Sequence, residues 1–447
     1  MQPTTLSIFR FLSPVIFVLI ILNTNKGYCQ TTLIPDPNFE QALIDLNIDT
    51  NGLNGNILNS DASVVYYLNV SQNFISDLTG IEAFTNLKTL DCSANNLVGL
   101  DVSQNTKLYE LNADDNQIAN IDLSLNTKLK WVWLSSNSLS SIDVSNNLLL
   151  EELGVNLNYL TELEVSNNIN LEHLGCYSNN LTNIDLSNNS ALKVLHIGVN
   201  NLNTLDVSQN TSLQTLTCNE NNLTELSVDT NSQLNYFDCR DNHISNLNIS
   251  NAPELVRLFV SNNNLNEVDL SASPNLKLFY AINNNLQTLD ISGNSVLRWI
   301  KCDDNNLSFV DFRNGNNGYI SEFKMLQNNN LSCILVDDSN ASFLTNWSVD
   351  EDCSFVESNF DCEALSVKNP SLLEVEMYPN PALDTVVITV KTNEAKLELY
   401  TVSGQRIYLK ILNQGINNID LTNVSSGMYI AQISYGQAIE TKKLIIK

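Results

Sequence analysis

The 447-residue sequence predicts a mainly β protein, in which a solenoid of short parallel strands precedes a small antiparallel β-sandwich. Leucine returns every 21 residues from Leu87 to Leu297, and an asparagine follows each of these leucines eight positions later. Near residue 372 the composition changes to segments that alternate apolar and polar side chains. A fixed short period is typical of a solenoid, and two-residue alternation indicates strands with one buried face.

The chain begins with a predicted secretory signal peptide at residues 1–29. Arg10 precedes a short apolar run at residues 11–22, and a polar segment follows. The run is too short for a full membrane span, so we expect cleavage after Cys29 and no transmembrane segment in the mature chain. The alternative is a lipoprotein anchored through Cys29, although Tyr28 stands where such signals favour a small residue.

Residues 30–64 predict an N-terminal cap for the open end of the solenoid. Within it, residues 34–49 indicate a helix, because Pro37 suits a first helical turn and the apolar residues recur on one side. The apolar residues expected to face the first coil are Phe39, Leu43, Ile44 and Leu46.

The coils are predicted at residues 65–335. Each 21-residue unit has apolar residues three and five positions after its first leucine, and a second half such as LDVSQN at residues 100–105. One coil cannot bury its apolar side alone, so stacked coils build a continuous core. The asparagines are expected to stack as a ladder of turn-satisfying amides, so removing one would orphan buried groups at roughly 1–3 kcal/mol each. They are Asn95, Asn116, Asn137, Asn158, Asn179, Asn200, Asn221, Asn242, Asn263, Asn284 and Asn305.

The consensus LxxLxCxxNxLxxLDVSxNxx resembles the 21-residue nested leucine-rich repeat of bacterial proteins. The preceding 22-residue unit at residues 65–86 resembles the repeat of internalin-type proteins. The resemblance implies a leucine-rich repeat solenoid of twelve repeats. It implies no reaction.

A varied, aromatic-rich strip is predicted on the outer side of the first strand of each coil. Positions three and five point inward, so positions two, four and six point outward. Trp131 and Trp133 fall at positions two and four, which makes them surface residues. Aromatic residues and arginine dominate contact energies, and eleven strands ~4.8 Å apart would give a strip roughly 50 Å long. The predicted binding residues are Trp131, Trp133, His173, Tyr177, His196, Tyr236, Arg240, Arg257, Phe259, Tyr280 and Trp299.

Two alternatives stand beside this interpretation of the strip. Exposed aromatic side chains could merely cover the sheet through cross-strand pairing. Glu152, His173 and His196 fall on three successive coils and could converge on a divalent metal. Nothing in their spacing demands a metal, and we predict no metal and no cofactor.

The second half of the coils carries a uniform acidic column, which is what stacking requires. Calcium could relieve the repulsion between these carboxylates, but each one is better explained as an acceptor of backbone hydrogen bonds at its own turn. The column consists of Asp101, Asp122, Asp143, Glu164, Asp185, Asp206, Asp269, Asp290 and Asp311.

The formal net charge of −27 argues against a nucleic-acid ligand, which requires a basic face. The sequence contains no G-x-S-x-G, no H-E-x-x-H and no glycine-rich phosphate loop, and its three histidines leave few options for a catalytic triad. We therefore predict that the chain is not an enzyme.

Five cysteines occupy the inward fifth position of their coils and are expected to be free buried thiols. Cys218 and Cys239 lie on adjacent coils and could instead form a bridge. Cys333, Cys353 and Cys362 follow the last predicted coil, where an exported protein can form a disulfide. We predict the pair Cys333–Cys353, within a C-terminal cap and linker at residues 336–372.

Residues 373–447 predict an antiparallel sandwich of about seven short strands. They resemble the type A sorting domain of the type IX secretion system. The matching motifs are Tyr-Pro-Asn-Pro at 378–381, Val-Ser-Gly-Gln at 402–405, Gly-Met-Tyr at 427–429 and two lysines at 442–443. The resemblance implies recognition by that machinery in a Gram-negative bacterium, export to the surface or medium, and removal of the domain by cleavage within residues 361–374.

Together these features predict a secreted or cell-surface, non-enzymatic leucine-rich repeat protein that binds a protein or glycan partner through its aromatic strip. The alternatives are a structural spacer without a specific ligand, and a metal-dependent or glycan-acting enzyme.

Overall fold

The computed structural model describes residues 30–359, 362, 375–391, 393–435 and 438–447. The predicted signal peptide lies outside these residues, as does most of the predicted processing segment. The chain divides into two compact units, Met1–Leu213 and Gln214–Lys447. Both units contain stacked solenoid coils, and the second also contains the antiparallel sheets of residues 376–446, so the predicted fold class is confirmed. Among the described residues, no helix has the length and apolar character needed to cross a membrane.

The N-terminal cap begins with an antiparallel strand pair and a helix. The helix starts at Pro37 because the Oδ1 atom of Asp36 accepts hydrogen bonds from the first backbone N–H groups. The Oδ2 atom of Asp36 accepts from the N–H groups of Ser76 and Asp77, which ties the cap to the first coil. Leu46 lies beyond the end of the helix and is 45% exposed, so the prediction that it faces the first coil is wrong. The cap elements are β1 (Thr31–Leu33), α1 (Pro37–Asp45), β2 (Asn56–Leu58) and α2 (Asn59–Ala62).

The coils of the first unit present parallel strands in register, three residues each. The middle residue of every strand is buried, from Leu68 to Leu195, which is the inward position predicted from the repeat. The strands are β3 (Tyr67–Asn69), β4 (Thr89–Asp91), β5 (Glu110–Asn112), β6 (Trp131–Trp133), β7 (Glu152–Gly154), β8 (His173–Gly175) and β9 (Val194–His196), with a 3₁₀ helix at Ile81–Ala83.

The asparagine ladder closes the turn after each of these strands. Asn137 is representative: its amide nitrogen donates to the carbonyl oxygens of Ala113 at 2.9 Å and Leu134 at 3.1 Å. Its Oδ1 atom accepts from the N–H of Ile118 on the preceding coil at 2.9 Å. Each ladder amide therefore satisfies buried backbone groups of two coils, as the sequence predicts.

A second asparagine column closes the other half of each coil, and its side chains are less completely satisfied. The amide nitrogen of Asn147 donates to the carbonyl oxygens of Leu123 and Asn126 at 3.1 and 3.0 Å. Its Oδ1 atom is buried and has no hydrogen-bond partner among the described residues. The same holds for Asn105, Asn126, Asn168 and Asn189.

The coils of the second unit form one parallel sheet from their first halves and shorter sheets from their second halves. Coils continue beyond the predicted boundary at residue 335, because strands at 348–349 and 354–356 still pair in parallel with their predecessors. The strands are β10 (Thr215–Thr217), β11 (Glu225–Ser227), β12 (Tyr236–Asp238), β13 (Asn246–Asn248), β14 (Arg257–Phe259), β15 (Leu278–Tyr280), β16 (Thr288–Asp290), β17 (Trp299–Lys301), β18 (Phe309–Asp311), β19 (Glu322–Met325), β20 (Cys333–Leu335), β21 (Ser348–Val349) and β22 (Ser354–Val356), with 3₁₀ helices at Asn317–Tyr319 and Ser342–Asn346.

Two features close the last coils. The ring of Trp347 stacks on Phe323 with centroids 4.0 Å apart and is only 8% exposed, so the fourth tryptophan is a core residue. Cys333 is bonded to Cys362, with Cα atoms 5.6 Å apart, and Cys353 is a free thiol. The predicted Cys333–Cys353 pair is therefore wrong. The inward cysteines are buried free thiols, including the neighbours Cys218 and Cys239.

Residues 376–446 form seven antiparallel strands in two sheets around a separate apolar core. Asn380 joins the start of this sandwich to its end, because its amide nitrogen donates to the Lys443 carbonyl at 2.6 Å and its Oδ1 accepts from the Ile445 N–H at 2.9 Å. The strands are β23 (Glu376–Tyr378), β24 (Thr385–Val390), β25 (Ala395–Thr401), β26 (Arg406–Leu412), β27 (Gly415–Asp420), β28 (Gly427–Tyr435) and β29 (Ala438–Ile446).

Candidate binding faces

In the first unit, the outward side chains of β6–β9 and the turns after them form a surface termed the first strand face. Val132 and Leu134 are fully buried, whereas Trp131 and Trp133 on either side of Val132 are half-buried. The two tryptophans therefore lie outside the core, as the alternation predicts. The predicted binding residues on the first strand face are Trp131, Trp133, His173, Tyr177 and His196.

The two tryptophans make different contacts with neighbouring coils. Trp131 packs edge-on against Tyr109, with ring centroids 5.8 Å apart. The indole N–H of Trp133 donates to Oε1 of Glu152 at 2.9 Å, which fixes the ring over the following strand. Both rings thus cover part of the sheet through cross-strand pairing, and both keep exposed surface that a partner could contact.

A hollow of about 330 Å³ opens beside Trp133 and is termed the glycine hollow. Gly154 and Gly175 form its floor, at the outward position that carries Trp133 in the preceding coil and His196 in the following one. A Cβ atom at Gly154 would come within 3.1 Å of Trp133 Cδ1, and one at Gly175 within 2.8 Å of the Asn156 amide nitrogen. Any residue with a Cβ atom at either position would therefore displace the side chains that form the walls of the hollow.

The glycine hollow is polar at its rim. Oε2 of Glu152 lies 3.9 Å from Nδ1 of His173, which is too long for a hydrogen bond. Desolvation among these side chains and repulsion from His173 lower the pKa of His196, which favours its neutral form at pH 7. No group of three His, Cys, Asp or Glu side chains is placed to hold a metal ion in the part of the chain that the structure describes.

In the second unit, the outward side chains of β12, β14, β15 and β17 and of the turn after β12 form the second strand face, which is an aromatic ladder. Tyr236 packs on Phe259 at 5.5 Å and Phe259 packs on Tyr280 at 5.6 Å, measured between ring centroids. Arg240 lies over the Phe259 ring at 5.1 Å, and Lys301 lies over the Tyr280 ring at 4.7 Å. The predicted binding residues on the second strand face are Tyr236, Arg240, Arg257, Phe259, Tyr280 and Trp299.

The two strand faces differ in charge. The second face carries Arg240, Arg257 and Lys301, of which Arg240 pairs with Asp238 at 2.6 Å and Lys301 with Glu322 at 3.1 Å. Arg257 and Trp299 are exposed. The first face carries the Glu152 carboxylate, and the coils before it carry Asp91, Glu110 and Asp114 at outward positions. The chemistry of the two surfaces therefore suits ligands of different charge.

The acidic column caps its own turns. Oδ1 of Asp122 accepts from the N–H of Ser124 at 2.9 Å, and Asp143 bonds Ser145 in the same way at 2.8 Å. Hydrogen bonds from these serines hold the pKa of both carboxyl groups below the usual range. Backbone hydrogen bonding, the explanation preferred from the sequence, thus accounts for the column.

Sequence reasoning missed the two glycines and Tyr109 because it searched for side chains that could make contacts. The signal was present: two adjacent coils have glycine at an outward position that carries a larger side chain in every other repeat, such as Trp133 before them and His196 after them. The absence of a side chain in two neighbouring coils indicates a hollow in an otherwise covered sheet.

A family model for the secretion system C-terminal sorting domain matches residues 376–447, which are the seven-stranded sandwich. These residues are a type IX secretion sorting domain. The protein is therefore secreted or displayed on the surface of a Gram-negative bacterium.

Solved structures show the same solenoid fold. The functional domain of InlJ from Listeria monocytogenes aligns with a TM-score of 0.61 at 23% identity, over 94% of this chain and 99% of that one. An internalin, InlF, from the same species aligns with a TM-score of 0.58 at 19% identity, over 73% and 97% of the two chains. At these identities the likeness establishes the leucine-rich repeat fold and nothing about ligands.

One curated relative is an enzyme. Ulvan lyase NLR42 from Nonlabens ulvanivorans is 27% identical over 121 residues, which are 27% of this chain and 21% of that protein. The chain thus spans about a fifth of the length of this relative.

Proposed function

We propose that this exported chain is a non-enzymatic leucine-rich repeat protein that binds a protein or glycan partner through its two strand faces. The contrast between the two halves of each coil carries the proposal. The first halves present varied, half-exposed aromatic, basic and imidazole side chains, whereas the second halves repeat an acidic residue that caps its own turn. Variety at outward positions suits recognition, and aromatic side chains supply large contact areas at low entropic cost.

Neighbouring side chains cover part of both tryptophan rings, which gives only partial support to the alternative of a structural spacer. The Tyr109–Trp131 and Trp133–Glu152 contacts stabilise neighbouring coils, but a sheet needs no tryptophan for that purpose. The spacer alternative has a distinct consequence, because it expects no partner for either face.

The test is a glycan and protein array probed with residues 30–447 and with the Trp131→Ala/Trp133→Ala variant. The proposal expects a partner that binds the wild-type chain and is lost from the double variant or from a Phe259→Ala/Tyr280→Ala variant, while both variants keep their circular dichroism spectra. A partner retained by both variants would place the binding site elsewhere on the chain, and the absence of any partner would favour the spacer.

The similarity to an ulvan lyase makes enzyme activity the second candidate. Incubation of the chain with ulvan, followed by the absorbance of newly formed unsaturated products, tests this candidate directly. Our proposal expects no products above those of a heat-denatured control.

A further inference from the structure

We propose that the glycine hollow is a subsite for one uncharged, hydroxyl-rich sugar ring of a glycan partner. The inference rests on the proposed function and names the ligand class of one part of the first strand face. All of the side chains that carry it belong to the first unit.

The shape of the hollow is set by the backbone. Both floor residues are glycines, and either Cβ would push against Trp133 or Asn156. Asn156 is itself fixed, because its amide nitrogen donates to Oγ of Ser135 at 3.2 Å and its Oδ1 accepts from the N–H of Tyr177 at 3.0 Å. A volume of about 330 Å³ lies at the lower end of ligand pockets, so it suits one ring and not an extended molecule.

The wall of the hollow offers an apolar plane. The N–H of the Trp133 indole is hydrogen-bonded to Glu152, which restrains the ring and reduces the entropy lost when a ligand packs against it. The C–H face of a sugar ring is apolar and matches such a plane. The hydroxyl groups at the edge of the ring then point toward the polar rim.

The rim supplies hydrogen-bonding groups without a positive side chain. Oε1 of Glu152 accepts the indole N–H, and a carboxylate has further lone pairs that can accept from sugar hydroxyls. The imidazoles of His173 and His196 add groups that can donate or accept. A ligand that covers these half-exposed groups displaces the water that bonds to them, so this rim favours a ligand whose hydroxyls replace those hydrogen bonds.

The charges argue against the other ligand classes. No lysine or arginine lines the hollow, and the Glu152 carboxylate would repel a sulfate, phosphate or uronate. An ammonium group prefers several aromatic faces around it, and Trp133 is the one Trp, Tyr or Phe among the lining residues. An uncharged ring satisfies both constraints.

The experiment uses residues 30–447 and the methyl glycosides of glucose, galactose, mannose and N-acetylglucosamine, with their neutral oligosaccharides. Saturation-transfer NMR detects binding and titration calorimetry measures affinity. We expect at least one neutral sugar to bind, with affinity reduced about tenfold or more by Trp133→Ala and reduced by Glu152→Gln. The matched control is Tyr67→Ala, an exposed aromatic residue on β3 that lies outside the first strand face, which should leave the affinity unchanged.

Gly154→Leu is a second variant, which fills the hollow without removing a polar group. It should abolish sugar binding, and urea denaturation checks that it folds. Glu152→Gln keeps the test decisive if the leucine disturbs the coil.

The sugar assignment would be overturned if no neutral sugar bound, or if the sulfated, uronate or amine probes N-acetylglucosamine 6-sulfate, methyl glucuronoside and N-acetyl-lysine methylamide bound in preference. Equal losses in Tyr67→Ala and Trp133→Ala would overturn the placement in the hollow. In each of these cases, an array partner lost from the Trp131→Ala/Trp133→Ala double variant would still support the broader function. The absence of any partner would defeat both proposals.

Discussion

At the scale of single residues, chemically identical asparagines have different structural roles. Asn137 uses both ends of its amide and anchors the N–H of Ile118 as well as two carbonyl groups. Asn147 uses only its nitrogen, and its oxygen is buried without a partner among the described residues. A lost donor or acceptor matters most when it leaves a buried partner unsatisfied.

We predict that Asn137→Ala destabilises the chain more than Asn147→Ala. The first substitution leaves the buried N–H of Ile118 without its acceptor, at roughly 1–3 kcal/mol, whereas the carbonyl oxygens of Ala113 and Leu134 still accept from the amides of Asn116 and Asn158. The Asn147→Ala substitution removes a buried Oδ1 atom that has no partner among the described residues, which offsets part of the free energy lost with the amide. Urea denaturation of both variants measures the difference, with the exposed Asn120→Ala as control. Equal losses would show that the two columns contribute alike.

The carboxyl group of Asp114 makes the stability of the folded chain depend on pH. Desolvation raises the pKa of this half-buried carboxyl to about 6, although hydrogen bonding from Ser135 opposes the rise. The folded state therefore holds a proton that the unfolded state has released, and its stability falls as the pH rises from 3.8 to about 6. Asp114→Asn should gain stability relative to wild type across this window and keep the gain at higher pH.

The control is Asp122, whose pKa shift changes the pH dependence of stability in the opposite direction. Hydrogen bonds from Ser124 lower the pKa of Asp122, so its ionised form is the one that folding favours. Asp122→Asn should therefore lose stability relative to wild type as the pH rises. Thermal midpoints between pH 3.5 and 8 test both variants, and parallel curves for Asp114→Asn and wild type would contradict the account.

At the scale of elements, the turn after each strand requires a left-handed residue immediately before the ladder asparagine. Val199 occupies this position with φ +52°, and Asn262 and Asn283 occupy it in the second unit with φ +57° and +54°. A β-branched side chain is poorly suited to this region, whereas asparagine tolerates it. The turn geometry is thus set by the stacked coils and overrides the preference of the local residue.

Val199→Asn should accordingly raise the free energy of unfolding by about 0.5–1 kcal/mol. The reciprocal substitution Asn283→Val should lower it by a similar amount. The midpoints of urea denaturation provide the measurement. A loss of stability in Val199→Asn would mean that the packing of the valine outweighs its backbone strain.

The coils were predictable because their period fixes both register and the inward face, as the full burial of Val132 and Leu134 illustrates. The end of the solenoid was not predictable, because β19, β20 and β21 depart from the 21-residue spacing while keeping parallel pairing. The partner of Cys333 was also beyond reach, since sequence separation does not say which of two cysteines the folded chain brings to a Cα distance of 5.6 Å. The glycine hollow could not be predicted from the sequence, because its walls depend on where the fold places Trp133 and Asn156.

At the scale of the whole molecule, the chain combines a domain that directs export with coils that offer contact surfaces. A chain that ends at residue 374 lacks the sorting domain at 376–447 and should fail to reach the surface or the medium of its host. Immunoblots of cell, surface and medium fractions measure this. The full-length Trp131→Ala/Trp133→Ala variant should be exported normally, and export of the truncated chain would contradict the role of the domain.

The central claim is that binding occurs on the strand faces and not on the acidic column. The most direct measurement is the affinity for an array-identified partner of the wild-type chain, two strand-face variants and a column variant. We predict that Trp131→Ala/Trp133→Ala or Phe259→Ala/Tyr280→Ala weakens binding about tenfold or more, while Asp122→Asn/Asp143→Asn leaves it unchanged. Loss of binding in the column variant, with both strand-face variants unaffected, would contradict the claim.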